Sequence, residues 1–104
     1  MTTTIQPDEL DRLLKAGDIL LLDVRRRTDR DADPAYIPGA VWHDPEGVND
    51  WRANLPRDRQ VVVYCVRGGS VSRSVTAALS ETGIRSGYLE GGIVAWKASG
   101  RATG

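Results

Sequence analysis

Apolar positions along this chain change period several times, and each change marks an element. Leu10, Leu13 and Leu14 recur at helical spacing behind Pro7, which suits a first helical turn, so residues 7–16 are predicted as a helix that stops at Gly17. A short extended entry at Thr4-Ile5 precedes it. Residues 18–24 (Asp-Ile-Leu-Leu-Leu-Asp-Val) follow, and an apolar run of that length straight after a helix suits a strand buried on both faces. The next ten residues, 25–34, hold Arg25, Arg26, Arg27, Asp29, Arg30, Asp31 and Asp33, and are expected to be a solvated irregular loop. Residues 37–41 read as a turn entering a short strand. Residues 45–55 suit a helical piece with Val48, Trp51 and Leu55 on one face, and residues 56–59 a polar turn. Residues 61–64 (Val-Val-Val-Tyr) are the strongest strand by composition. A helix is expected from 71 or 72 to 82, with Val75, Ala78 and Leu79 on its apolar face, ended by Gly83. A last strand spans 84–89, Glu90-Gly91-Gly92 turns, and a terminal helix covers 93–99 before a frayed tail at 101–104.

Short apolar strands alternating with helices imply an α/β fold. The expected form is a mainly parallel sheet of about five strands with helices on both faces. Length agrees: 104 residues make a single domain with a buried core, here taken as 1–104 with its core at 4–100. Charge excludes more than it suggests. Fourteen basic residues balance fourteen acidic ones, so no overall field favours nucleic acid or a membrane surface as partner. The first residues show neither a basic segment nor an apolar run, and no stretch is long enough to span a bilayer, so a cytoplasmic location is expected. With a single cysteine there is no internal disulfide and no multi-cysteine metal site, and no cofactor is expected. No exposed apolar stripe is visible, which makes a monomer the default.

The candidate chemistry lies where the strongest strand ends. Cys65 follows it, Val66-Arg67-Gly68-Gly69-Ser70-Val71 comes next, and a helix begins. In open α/β sheets, ligand sites sit beyond the carboxyl ends of strands. A nucleophilic cysteine works as its thiolate, which converging backbone N–H groups and a helix N-terminus stabilise. The same donors would hold an anion. Gly68 and Gly69 let the loop curl, Ser70 adds a hydroxyl, and Arg67 is placed to meet an oxyanion. On the other side stands the reading of Cys65 as a small buried hydrophobe beside a plain turn.

Four segments in order carry a resemblance: Leu22-Asp23-Val24-Arg25, Tyr36-Ile37-Pro38-Gly39-Ala40, Val63-Tyr64-Cys65 with its glycine loop, and Leu89-Glu90-Gly91-Gly92-Ile93-Val94-Ala95-Trp96. Together they resemble a single-domain rhodanese, a sulfurtransferase, over nearly the whole chain. The resemblance implies the rhodanese-like fold and a Cys65 persulfide. It would be loaded from a small sulfur-containing anion such as thiosulfate and discharged to cyanide or a thiol. The amides of Val66, Arg67, Gly68, Gly69, Ser70 and Val71 would then cradle the persulfide. Asp23, Arg25 and Arg73 are candidates for the pocket rim, although a structural role suits Asp23 and a surface position suits Arg73. His43, the single histidine, is expected to be a loop residue. Trp42, Trp51 and Trp96 are expected to pack the core or its edge, and Glu90 to be structural. Three departures stand out: Tyr36 replaces a common histidine, Ser70-Val71-Ser72-Arg73 replaces the usual entry to the helix, and the helix-ending Gly83 comes one residue late, which leaves the loop at six residues or one more. A looser similarity links Cys65–Ser72 and Trp42–Glu46 to rhodanese-like proteins associated with chromate resistance.

Other functions remain open on sequence alone. Phosphatases and arsenate reductases of this fold need an arginine at the position held here by Val71. A regulatory domain without catalysis, or a redox-sensing Cys65 recycled by an external thiol, is compatible with the loop.

Overall fold

The computed structural model describes residues 3–104. In chain order the elements are β1 (Thr3–Ile5), α1 (Pro7–Ala16), β2 (Ile19–Asp23), α2 (Arg27–Ala32), β3 (Val41–Trp42), α3 (Val48–Trp51, between 3-10 turns at Pro45–Gly47 and Arg52–Asn54), β4 (Gln60–Tyr64), α4 (Ser70–Glu81), β5 (Ser86–Leu89) and α5 (Gly92–Ala98). The five strands form one parallel sheet in the order β1-β5-β4-β2-β3.

Side-chain alternation explains why the two apolar runs are strands with no polar face. In β2 and β4 successive side chains point to opposite sides of the sheet. Ile19 and Leu21 join Val62 and Tyr64 in a core with Leu10, Ile93 and Trp96 from α1 and α5. Leu22 and Val24 join Val61 and Val63 in a second core with Val75 and Leu79 from α4, against which Leu20 and Trp51 also pack. Each such side chain contributes roughly 1.5–3 kcal/mol on burial. Every strand position in these runs therefore has a helix to pack on, and a polar substitution on either face is costly.

The charged stretch 25–34 departs from the expected irregular loop. Its middle forms α2, and although residues 26–32 are exposed, Arg25 is only 1% exposed. The reason is local pairing, described below, which a run of charges does not reveal. The last expected strand also starts two residues late, because Ile84 closes the end of α4 through its N–H to the Leu79 carbonyl (3.2 Å) and buries its side chain. Residues 101–104, expected to fray, carry hydrogen bonds: Trp96 Nε1 donates to the Ala102 carbonyl (2.9 Å) and Gly104 N to the Tyr36 carbonyl (2.7 Å).

Strand order also locates the place for a ligand. From β2 the chain moves outward to β3, and from β4 it moves the opposite way to β5, while β2 and β4 are neighbours. The chains leaving these two strands part, opening a crevice at their carboxyl ends, where open α/β sheets bind ligands. Asp23 pairs with Tyr64 in the register of β2 on β4, so the crevice begins with Arg25 and Arg26 on one lip and Cys65 on the other.

Candidate active site

Cys65 directly follows β4. It is free and 5% exposed, and it lies in the wall of a cavity of about 230 Å³ bounded also by Arg25, Arg26, Asp29, Arg67 and Ser70. Val66, Gly69 and Val71 complete the lining. The structure thus brings Cys65 together with most of its expected loop partners. Gly68, the exception, has a supporting role.

Two glycines make this loop possible. Gly68 has φ +70°, and a Cβ there would stand 2.8 Å from the Gly91 nitrogen and 2.9 Å from the Leu89 carbonyl. Gly92 has φ +60°, and its Cβ would lie 2.4 Å from the carbonyl oxygens of both Cys65 and Val66. Side chains are excluded at both positions by the left-handed backbone and by backbone contacts. The close approach has a purpose. The first free N–H groups of α5 point at the loop: Ile93 N donates to the Cys65 carbonyl (3.0 Å) and Val94 N to the Val66 carbonyl (3.1 Å). Donors that a helix start leaves unpaired are used here to clamp the cysteine loop. The Gly91-Gly92 turn, legible as a motif in the sequence, is therefore part of the site's support.

The loop's own N–H groups are differently placed. Among the described residues, the amides of Val66 through Ser72 donate to no backbone or side-chain acceptor; the first such bond is Arg73 N to the Gly69 carbonyl (3.2 Å). Four of these residues form the loop, and Ser70, Val71 and Ser72 open α4, whose N-terminus adds the positive end of a twelve-residue helix dipole. A concentration of unpaired donors at a helix start is suited to negative charge.

The other lip is held by side chains. Asp23 receives the Arg25 backbone N–H (3.0 Å), Nε (3.0 and 3.1 Å) and Nη2 (2.8 Å), while Arg25 Nη1 and Nη2 donate to the carbonyls of Asp33 (2.9 Å) and Ala35 (3.0 Å). Burial alone would lower the ionisation of this guanidinium, but the hydrogen bonds and charge of Asp23 outweigh it and hold Arg25 above its ordinary value. Tyr64 lies beneath, its hydroxyl accepting the Ile37 N–H (3.3 Å). Burial first and the Asp23 charge second push its ionisation well above the usual tyrosine range. Trp42 Nε1 donates to the Arg25 carbonyl (2.9 Å).

Asp23 and Arg25, the candidate rim residues, form an internal brace, which is the structural role that suited Asp23 in the sequence. Arg25 borders the cavity, but its guanidinium is committed. Arg73 is exposed and borders none of the cavities at this crest. His43 is half-buried, its backbone N–H bonded to the Asp23 carbonyl (2.9 Å) and its ring 4.8 Å from that of Trp51; burial lowers its basicity. Sequence reasoning missed Arg26 and Asp29, because stretch 25–34 was read as solvent-facing. The signal for them was topological: both follow β2, the neighbour of the cysteine strand.

No cluster of potential metal ligands occurs among the described residues, and no helix among them is long and apolar enough to cross a membrane.

Known proteins agree with this architecture. The chain is 36% identical over 90 residues to a sulfurtransferase of Allochromatium vinosum, covering 86% of this chain and 81% of the relative. It is 31% identical over 96 residues to the thiosulfate sulfurtransferase GlpE of Pseudomonas savastanoi, covering 91% and 87%. In some longer sulfurtransferase-named relatives it spans 24% of the length or less. A rhodanese-related protein of Thermoplasma volcanium superposes with a TM-score of 0.85 over 98% of this chain and 97% of that one, at 24% identity. The rhodanese-like domain model matches residues 6–99, and the chain therefore belongs to the rhodanese-like family, with proteins named sulfurtransferase among its relatives.

Proposed function

We propose that Cys65 carries sulfane sulfur as a persulfide, taking it from an anionic donor such as thiosulfate and passing it to a thiophilic acceptor. The observation that carries this reading is the run of backbone amides from Val66 to Ser72, without protein acceptors among the described residues, beside a free cysteine in a small cavity. In the first half-reaction the Cys65 thiolate attacks the outer sulfur of thiosulfate. A sulfur–sulfur bond to Cys65 forms, the bond to the sulfonate sulfur breaks, and its electron pair leaves with sulfite. In the second, cyanide attacks the terminal sulfur of the persulfide and leaves as thiocyanate, restoring the thiolate.

The negative charge the protein keeps, on the thiolate and then on the persulfide, lies on sulfur next to the loop. Donors already in place stabilise it without reorganising, the usual source of the largest catalytic effect. Arg67 is exposed at the mouth and without an ion-pair partner among the described residues, so it is suited to draw in the anionic donor. Ser70 adds a hydroxyl donor on the same wall. A relative named for thiosulfate supports that choice of donor. Val71, in the cavity wall where phosphatases of this fold need an arginine, disfavours phosphate chemistry.

Intact mass tests the proposal. After incubation with thiosulfate and removal of excess, the wild type gains the mass of one sulfur atom, Cys65→Ser gains none, and cyanide removes it as thiocyanate. If no sulfane donor adds sulfur to the wild type, Cys65 belongs to a regulatory or redox-sensing domain instead.

A further inference from the structure

The cavity at Cys65 is larger in context than its donor requires. Two more cavities adjoin it. One, of about 340 Å³, is bounded by Arg26, Pro45, Glu46, Val71 and Val75 among others. The next, of about 220 Å³, lies between Arg26, Arg27, Thr28, Asp44 and Glu46. Arg26 borders all three, and Ser70 and Val71 are shared by the first two. The wall opposite is anchored: Asp44 Oδ1 accepts the Glu46 N–H (3.0 Å), and Trp51 Nε1 donates to the Asp44 carbonyl (2.8 Å). Through these shared walls the three cavities line up as a groove from the thiol past Arg26 to an acidic edge.

We propose that this groove is the binding region for the organic body of the acceptor, and that Arg26 selects a thiol carrying a carboxylate. For its chemistry, this rests on the persulfide reading of Cys65. Three features point to that ligand. Pro45, Val71 and Val75 are apolar walls, which suit methylene groups and offer nothing to cyanide or thiosulfate. Arg26 is exposed and, like Arg67, has no ion-pair partner among the described residues, so its planar fork is free for a carboxylate. Glu46 and Asp44 beyond it limit the negative charge the groove accepts, favouring one carboxylate over a polyanion. The transfer balances without a further reactant. The acceptor thiolate attacks the terminal sulfur of the Cys65 persulfide, the new sulfur–sulfur bond forms on the acceptor, and the old one breaks with its electron pair returning to Cys65 as thiolate. Any proton the acceptor thiol held goes to solvent.

The test discharges persulfide-loaded protein with 3-mercaptopropionate, 2-mercaptoethanol and cysteamine at matched thiolate concentrations. Wild type prefers the carboxylate thiol over the neutral one, and over the cationic one most of all. Arg26→Gln reduces that preference roughly fivefold, as loss of a solvent-facing ion pair allows, and Arg26→Glu inverts it. Arg59→Gln, in the exposed turn before β4, keeps the wild-type ratio. Equal rates for the three thiols on wild type, or a preference that survives Arg26→Glu, overturn the proposal. A second assay separates it from the persulfide reading. 3-(Methylthio)propionate, which cannot accept sulfur, slows alkylation of Cys65 by iodoacetamide in wild type and loses that protection in Arg26→Glu. If no donor loads Cys65 but this protection depends on Arg26, the groove stands and the persulfide reading falls. Equal protection in both proteins, or none in either, removes the groove.

Discussion

The two lips of the crevice are built on opposite principles. The β4 lip is held by backbone. Glycines at 68 and 92 let two loops touch, and the N–H groups of α5 seize the carbonyls of Cys65 and Val66. The β2 lip is held by charge, through Asp23 and Arg25 in a buried bidentate pair 2.8 Å apart at its closest. A backbone-held loop keeps its amides free for a ligand, because its carbonyls do the anchoring. A side-chain-held loop uses up the charges that hold it, so Arg25 is spent on structure and the next residue, Arg26, is left available. The contrast teaches that a functional arginine at this crest is recognised by its lack of partners rather than by its place in a motif.

Breaking the charged lip is expected to have the largest effect. Asp23→Ala leaves the Arg25 guanidinium buried and uncompensated, and costs about 3–5 kcal/mol in denaturant unfolding. Replacing both partners, Asp23→Leu with Arg25→Met, recovers most of that loss. If the double variant is no more stable than the single one, the pair is not the unit that holds the lip. The backbone-held lip follows. Gly92→Ala places a Cβ against two carbonyls at positive φ and costs about 2–4 kcal/mol. Its Cys65 loop shifts, so iodoacetamide reacts with Cys65 at a changed rate. An unaltered rate and unfolding midpoint would show that α5 does not clamp the loop.

Smaller effects sharpen the comparison. Ser72 is fully buried at the start of α4, and its hydroxyl finds no partner. Ser72→Ala is therefore expected to raise stability by up to about 1 kcal/mol, since an unsatisfied buried hydroxyl carries a desolvation cost. A destabilised variant would mean that the hydroxyl is bonded within the site. The least effect concerns His43. Burial holds its folded ionisation below the ordinary 6.5. As pH falls through that value, the unfolded chain takes up the proton first, so the contribution of His43 is full above pH 6.5 and lost on acidification. Thermal midpoints measured from pH 7.5 down to 5.5 should fall less steeply for His43→Gln than for wild type; parallel curves would remove His43 as a source of acid sensitivity.

Much of this architecture was legible in the chain. The apolar runs at 19–22 and 61–63 are strands because both faces meet helices, and an unbroken apolar run has no other economical use in a small parallel sheet. Cys65 and its glycine loop were readable as a strand-to-helix turn. The charged stretch was not, since Arg25 and its neighbours differ by nothing in residue type. Arg25 is buried because its backbone position aims it at Asp23, Asp33 and Ala35, while Arg26, one residue on, faces the groove.

Sequence alone determined the strand and helix periods, the family resemblance and the position of the single cysteine at a strand end, because these depend on residue type and spacing along the chain. Only the tertiary structure decided which charges are committed and which are free, that α5 clamps the cysteine loop, and that Arg26 shares its cavity with Cys65. Those facts depend on β2 and β4 lying side by side while some forty residues separate them in sequence, and pairing across that distance is settled by packing, hydrogen bonding and burial together.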